Sequence, residues 1–497
     1  MALSYVAFLA LPLLLFAAQA IYHIFIHPLR RFPGPPLAAA TKGVWLFHRI
    51  RGTQAPWITE LHRKYGDVVR VAPDHLSYIN AEAWKDIYGH KTPSGTGNLP
   101  KDLRYYGPPP TGGVGIISAN DADHARIRRN LSHAFSEKAL VAQDSLIRSH
   151  VELLVEKLRD AAGNSSSVDM VRMFNFTTFD IMADLTFGES LGLLEKTEYI
   201  PWVASIVSAV KAIGIIWGIQ SAMPLLMPLV KRTVLRRMAE GTMKHAQFSR
   251  EHVDKRLARE TTRPDIWTFV LRNQGGDKGL SVQEMHSAGS ALMGAGTETT
   301  ATLLSGACWF LCNNPEKLDR LTDEVRQAFA AEEVTMQALA QLPYLHAVLQ
   351  ESLRMFPPPP SGLPRVVPSG GATICGDSVP EKTTVYVSHY AAYHNPSNFH
   401  DPDAFHPERW LPEVDACFAN DKRNVLEPFS FGPRNCVGKN LAWHEMRVIL
   451  AHIVLNFDMK LSQQTDRDWS NQKAYIVWDK KPLFIEFSEA RAQGVGA

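Results

Sequence analysis

The chain has 497 residues, 45% of them hydrophobic, and a formal net charge of +2. That is ample for a sizeable core, and with no linker-like shift in composition after Pro36 it reads as one large domain. The near-neutral balance excludes nucleic acid as the main partner, and five widely spaced cysteines (Cys308, Cys312, Cys375, Cys417, Cys436) do not read as a disulfide framework but fit a reducing compartment.

Residues 2–26 carry no charged side chain and are mostly Leu, Ala, Phe and Ile, long enough to cross a bilayer core as one helix. His27, Arg30 and Arg31 follow, then Pro33-Gly34-Pro35-Pro36. The rival is a cleaved signal peptide, with Ala18-Gln19-Ala20 as the cleavage site. Against it, a basic leading region is absent and apolar residues continue through Ile26. The sequence thus divides into an anchor (1–26), a basic, proline-rich hinge (27–40) and a globular domain (41–497). Basic residues after the anchor favour a cytoplasmic domain.

Trp57 to Tyr65 reads as a helix stopped by Gly66. Val68 to Val71 and Leu76 to Ile79 read as two strands around Pro73-Asp74. Ala81 to Tyr88 is a short helix. Residues 89–120 are rich in Gly and Pro and show no period, the mark of a functional loop. Asp123 to Phe135 is helical, with His124 and Arg128 four apart on one face. Residues 139–190 are mainly helical. Tyr199 to Val230 is very apolar but interrupted by Gly214, Gly218, Pro224 and Pro228, which argues against one clean spanning helix.

Ser281 to Leu311 is a long apolar helix carrying Gly294-Ala295-Gly296-Thr297-Glu298-Thr299-Thr300. Small residues followed by an acid and hydroxyls suit a plain core helix poorly, although small residues also permit close helix crossing. Thr299 lies four residues after Ala295, so its hydroxyl can bond that carbonyl. Leu345 to Met355 is helical, with Glu351 and Arg354 at i, i+3, a spacing usually met in weak surface pairs. Thr384 to Val387 reads as a strand.

Near the C-terminus, Phe429-Ser430-Phe431-Gly432-Pro433-Arg434-Asn435-Cys436-Val437-Gly438 precedes a helical pattern from about Asn440 to Phe457. Cys436 would sit at a helix N-terminus, whose positive end favours the thiolate. Gly432 suits a tight turn, Gly438 allows close approach, and Arg434 supplies a permanent cation. A lone cysteine is more often a small buried hydrophobe. Zinc is disfavoured because His444, the nearest downstream histidine, is eight positions away. A cysteine hydrolase with a distant histidine stays open on sequence alone.

The ten-residue loop resembles the haem-binding loop of cytochromes P450, with Phe429, Gly432, Arg434, Cys436 and Gly438 in place. The resemblance extends from the N-terminal anchor to this loop. It implies a mainly α fold with a small β region, haem b, and Cys436 as the axial thiolate that favours O–O cleavage. It implies propionate contacts from His124, Arg128, Arg365 and Arg434, although the commonest family form has Trp where His124 stands. It leaves Arg126 and Arg129 for a redox partner. Glu298 and Thr299 match the family's acid–alcohol pair for proton delivery. Glu351 and Arg354, with Arg409 in Phe405-His406-Pro407-Glu408-Arg409-Trp410, match its structural triad.

The implied reaction is monooxygenation, with electrons from NADPH through a separate NADPH–cytochrome P450 reductase, cytochrome b5 being a second donor, because no flavin or nicotinamide module appears in the chain. The implied setting is the endoplasmic reticulum membrane. The 200–228 region is either buried core or a second, shallow lipid contact. Details of the Arg-Phe-Pro-Gly-Pro-Pro and His-Ala-Arg-Ile-Arg-Arg stretches are similar to fungal monooxygenases of secondary metabolism, of the isotrichodermin-hydroxylase type, which implies a lipophilic terpenoid, polyketide or alkaloid substrate. A desaturase or another haem-thiolate enzyme on the same scaffold, and a non-catalytic haem sensor, are the alternatives.

Overall fold

The alternation around Pro73-Asp74 produces an antiparallel hairpin of β1 (Val68–Ala72) and β2 (His75–Tyr78), with an irregularity between Arg70 and Ala72. Two later strands, β3 (Arg365–Val366) and β4 (Thr384–Val387), complete a sheet of order β1-β2-β4-β3. β2 and β4 run parallel, and β3 pairs antiparallel to β4. This computed structural model describes residues 11, 14–92, 97–106, 114–228, 230, 235–272, 279–330 and 333–490.

Outside three further small sheets the architecture is helical. The helices that build the site are α1 (Asp121–Ser132), α2 (Met170–Phe187), α3 (Pro201–Ala222), α4 (Val282–Asn313), α5 (Pro343–Met355) and α6 (Lys439–Asn456). α1 starts where the Asn120 side chain accepts the Asp123 N–H at 2.9 Å, two residues earlier than the sequence suggested. It ends at Ser132, and a 3₁₀ turn covers His133–Phe135. α4 opens with a capping box. The Ser281 hydroxyl accepts the Glu284 N–H at 3.3 Å, and the Glu284 carboxylate accepts the Ser281 N–H at 2.9 Å.

Two apolar cores result. The larger joins α2, α4, α5 and α6 through residues such as Phe174, Met182, Leu304, Val348 and Ile449. The smaller lies under the first sheet, around Trp45, Tyr78, Tyr88 and Val385. α2 lies close along α4 because Gly296 has no side chain; a Cβ there would come 2.7 Å from Met182 Sδ.

The reading of α3 changes. Gly214 and Gly218 do not interrupt α3, which runs unbroken to Ala222. They let neighbours approach instead: a Cβ at Gly218 would lie 2.9 Å from Arg49 Cγ, and one at Gly214 would lie 3.1 Å from Tyr475 Cβ. Residues 27–40, the expected basic, proline-rich hinge, are bonded to the first sheet. The Arg70 N–H donates to the Pro33 carbonyl at 2.8 Å, and the Arg70 guanidinium donates to the His23 carbonyl at 2.9 Å. Residues 1–10, 12 and 13 of the expected anchor lie outside the described residues. Among the described residues no helix is long and apolar enough to cross a membrane. Of the 89–120 loop, residues 93–96 and 107–113 also lie outside them.

Candidate functional site

Gly438 is the N-cap of α6, so Cys436 stands two residues ahead of the cap. The Cys436 N–H donates to the Phe429 carbonyl at 2.8 Å and closes the loop on itself. The Phe429 ring lies 6.1 Å from Trp443 and 5.7 Å from Lys439 Nζ. Gly432 turns the chain at φ 72°, and a Cβ there would fall 2.0 Å from the Tyr88 carbonyl oxygen. Gly438 is under no such pressure from the protein: its Cβ would meet Phe135 Cε1 at 3.9 Å and Cys436 Sγ at 4.0 Å.

The Cys436 side chain is exposed to a cavity of about 340 Å³ whose walls include Arg128, Phe135, Asn435 and Lys439. Desolvation by the surrounding protein dominates and raises the thiol above its ordinary value, while the Gly438 N–H, Arg128 and Lys439 pull it down only in part.

His124, Arg128 and Arg434 share the wall of an adjoining cavity of about 340 Å³ with Asn98 and Asp121. Arg128 donates to the Asn435 carbonyl and to its Oδ1, both at 2.5 Å, and so holds the residue before Cys436. Arg434 donates to the Ala119 carbonyl and to Asp121 Oδ1, each at 2.8 Å, but its Nη1 is buried with no hydrogen-bond partner among the described residues. Arg365 donates to the Leu99 carbonyl at 2.8 Å and stacks 5.3 Å from the Tyr88 ring; its Nε is also buried without a partner among the described residues. Burial, with Arg434, Lys101 and Arg128 nearby, brings His124 down to about 4.

Sequence reasoning missed Lys101. It bridges to Arg365 through the backbone, and its ammonium lies 4.8 Å from the Tyr106 ring. Burial, Arg365 and Arg434 bring it down to about 7. Four basic side chains, Lys101, Arg128, Arg365 and Arg434, thus crowd one region, and Asp121 is the carboxylate that pairs with one of them, Arg434. Lys101 lies in the aperiodic loop, where no spacing signal singles it out. Arg126 pairs with Glu284 at 2.5 Å and ties α1 to the cap of α4.

On α4, the Thr299 hydroxyl donates to the Ala295 carbonyl at 2.7 Å. Glu298 faces a different cavity, of about 290 Å³, and forms an ion pair with the buried Lys480. Behind the same helix, Glu445 of α6 is buried and hydrogen-bonded to the Thr300 side chain; desolvation raises it to about 8.

Glu351, Arg354 and Arg409 meet fully buried. Glu351 Oε1 accepts from Arg354 at 2.7 Å, Arg409 Nε at 3.2 Å and the His406 N–H at 2.8 Å. Its Oε2 accepts from Arg354 Nε at 2.9 Å and Trp410 Nε1 at 2.8 Å. A fourth charge joins them: Asp421, also buried, pairs with Arg409. Asp421 lies twelve residues beyond Arg409 in an irregular segment, so no periodicity points to it.

These features belong to one family. The cytochrome P450 family model matches residues 33–487, and the chain belongs to that family. It is 44% identical over 481 residues to cytochrome P450 monooxygenase efuB of Hormonema carpetanum, covering 95% of this chain and 93% of that one. It is 44% identical over 467 residues to cytochrome P450 monooxygenase astA of Talaromyces wortmannii, covering 94% and 93%. With averantin hydroxylase of Dothistroma septosporum it shares 42% identity over 487 residues, covering 97% and 91%. The fold is the P450 fold, and the protein is an oxidoreductase of the P450 monooxygenase class, which uses haem with a cysteine thiolate, a redox partner, O₂ and a small-molecule substrate.

Proposed function

We propose that Cys436 is the iron ligand and that the protein inserts one oxygen atom of O₂ into a lipophilic secondary-metabolite intermediate. The observation that carries the assignment is the meeting of an accessible sulfur with a crowd of basic side chains short of acidic partners. Among the described residues Arg434 Nη1 and Arg365 Nε are buried and unpaired. Orphaned guanidinium nitrogens are costly unless an anion satisfies them. The carboxylates of haem are such anions, and the residues present fit the group. Arg365, Arg434 and Lys101 would hold those carboxylates, with His124 donating one hydrogen bond. Arg128 would steady the ligand loop through Asn435 and add positive charge beside Cys436. Gly432 fixes the turn that presents Cys436, and Gly438 leaves the space beside the sulfur free.

When bound, haem with a thiolate ligand supplies reductive activation of O₂. Overall, substrate, O₂, NADPH and a proton give hydroxylated substrate, water and NADP⁺, with electrons passed by NADPH–cytochrome P450 reductase and assisted by cytochrome b5. The chain's own part is positioning and proton supply. Thr299 presents its hydroxyl from a helix that Ala295 keeps narrow, and Glu298 is the source of protons for that hydroxyl. The Glu351–Arg354–Arg409 network fixes the segment ahead of the ligand loop.

The reading includes an N-terminal anchor in the endoplasmic reticulum membrane. Leu14, Leu15, Phe16, Ile21, Phe25 and Ile26 are all exposed, which suits lipid and not water. A terpenoid, polyketide or alkaloid substrate accords with the averantin hydroxylase likeness.

Reduced protein under carbon monoxide tests the ligand. Wild type gives the band at about 450 nm, and Cys436→Ser must lose it. A retained band overturns the assignment. For the proton path, reductase, NADPH and O₂ suffice. One NADPH per O₂ is used when peroxide forms and two when water forms. Thr299→Ala is expected to shift the product toward peroxide, and unchanged stoichiometry refutes its role. Comparing metabolites of the source organism with and without the chain identifies the substrate.

A further inference from the structure

Asn175 is a poor choice for the inside of α2. It is 3% exposed, between the buried Phe174 and Phe176. Asparagine favours helices weakly, and a buried amide is costly unless both its ends are bonded. One end is bonded: Nδ2 donates to the Tyr199 hydroxyl oxygen at 3.0 Å. Among the described residues the other end, Oδ1, is buried without a partner. The Tyr199 hydroxyl accepts in that bond and keeps its proton to donate. Turning the amide over exchanges the two roles and still leaves one donor and one acceptor open. Packing fixes the pair in place. The Tyr199 ring meets Phe176 edge-on at 4.8 Å, and the Arg172 guanidinium lies 5.7 Å over it.

Asn175 and Tyr199 both line the side cavity of about 290 Å³, close to the smallest ligand pockets, of about 300 Å³. Phe179, one turn beyond Asn175, joins Tyr475 and Trp478 in giving the cavity aromatic walls. Trp478 is locked there, donating to the Pro357 carbonyl at 2.9 Å and stacking on Phe356 at 4.6 Å. The charges of the lining balance, Arg172, Lys211 and Lys480 against Asp169, Glu298 and Asp479. Lys480 pairs with Glu298, Lys211 pairs with Asp479, and Asp169 accepts the Val171 and Leu483 N–H groups. A charged ligand would find no counter-charge left over. On the α4 side, a Cβ at Gly294 would meet nothing within 4 Å, so bare backbone faces the cavity. Ala295 and Thr299 lie about 100° further round that helix.

A carboxylate or an ether only accepts, and an ammonium only donates. A hydroxyl does both, and so meets the open donor and the open acceptor with one group. We infer that Asn175 and Tyr199 are a specificity pair that binds a free hydroxyl, phenolic or alcoholic, of a neutral lipophilic substrate whose rings lie against Phe179, Tyr475 and Trp478. The inference rests on the monooxygenase function proposed above and names the class of substrate. Bound in this way, the molecule passes Gly294 and turns its far end toward the Thr299 face of α4.

The test dialyses the haem-loaded full chain, without NADPH, against 2-naphthol, 2-methoxynaphthalene and naphthalene. Wild type is expected to bind 2-naphthol roughly tenfold tighter than either analogue, because each leaves a buried polar group unpaired. Tyr199→Phe removes the donor and should cut the preference over naphthalene to about threefold. Asn175→Leu should abolish it. Gly294→Leu fills the cavity from a position whose Cβ meets no protein atom, so it should fold normally and weaken 2-naphthol binding at least tenfold. Tyr199→Phe and Gly294→Leu decide the matter if Asn175→Leu does not fold. Equal binding of 2-naphthol and naphthalene by wild type, as when water alone fills the open ends, overturns the inference. So does a preference that survives Tyr199→Phe and Gly294→Leu unchanged. The second measurement uses the intermediate that accumulates in the source organism without the chain. It must carry a free hydroxyl, and Tyr199→Phe must raise its KM several-fold with kcat nearly unchanged. An intermediate that lacks a hydroxyl and is oxygenated by wild type overturns this inference and leaves the monooxygenase function standing. An intermediate that wild type binds through its hydroxyl but does not oxygenate, with reductase, NADPH and O₂ present, overturns that function instead.

Discussion

Glu351→Gln is the sharpest test of the buried charge network. The substitution keeps the side-chain shape and removes one charge from a cluster in which Glu351, Arg354 and Arg409 are fully buried. Two arginines are balanced there by two carboxylates, Glu351 and Asp421. After the change one buried guanidinium has no counter-charge. Glu351 accepts five hydrogen bonds, three from arginine nitrogens, one from the His406 N–H and one from Trp410. The glutamine oxygen can retain only some of these, and its NH₂ points a donor at donors. Breaking such a pair costs about 3–5 kcal/mol, whereas an exposed pair such as Arg63–Asp403 is worth under about 1 kcal/mol.

Burial alone would raise the Glu351 carboxyl, but Arg354, Arg409 and the His406 N–H outweigh it and hold it below its ordinary 4.5. A depressed carboxyl contributes its full stability above the unfolded value. That contribution is lost as pH falls through the lower folded value. The gap between wild type and Glu351→Gln should therefore be widest near neutral pH and narrow below about pH 4. Urea unfolding of both proteins, with Asp403→Asn as the exposed control, measures it. A loss at neutral pH no larger than that of Asp403→Asn would falsify the argument that burial makes this network costly to break.

Gly432→Ala combines a left-handed backbone with a Cβ 2.0 Å from the Tyr88 carbonyl, so we expect more than about 1 kcal/mol of destabilisation and loss of the carbon-monoxide band. Gly438→Ala meets only ordinary contacts in the protein, so its haem-free stability should match wild type while haem retention falls; a large stability loss would refute that contrast. Glu445 sits at about 8 against an ordinary 4.5, so between those values the folded chain holds a proton that the unfolded chain has lost. Stability must then fall as pH rises, by up to about 1.4 kcal/mol per unit, and Glu445→Gln should flatten that slope in urea titrations. Lys101→Gln removes a cation from the Arg365 and Arg434 neighbourhood, so haem should pass to an excess of a haem-scavenging apoprotein several-fold faster; an unchanged transfer rate counts against a carboxylate contact.

Local chemistry fixed much of this protein in the sequence. Gly66, Pro73-Asp74 and Ser281 mark ends and turns through backbone preferences that act within a few residues. Thr299 reaches the Ala295 carbonyl because helical geometry alone puts them together. Periodicity likewise gave α4, α5 and α6 within a few residues. The family's ordered motifs carried the remaining site positions.

What tertiary structure decided is which charges meet and how far water is kept from them. Asp421 completes a network with Arg409, Lys101 joins Arg365, and Lys480 reaches Glu298 from 182 residues away. No spacing rule encodes contacts between segments so distant in the chain. The Cys436 thiol gives the same lesson in energetic form. Its helix-end position was legible, but desolvation depends on every segment packed around the sulfur, and desolvation sets the sign of the shift. Gly214 and Gly218 follow suit: read alone they weaken a helix, and packed against Tyr475 and Arg49 they are what lets α3 lie where it does.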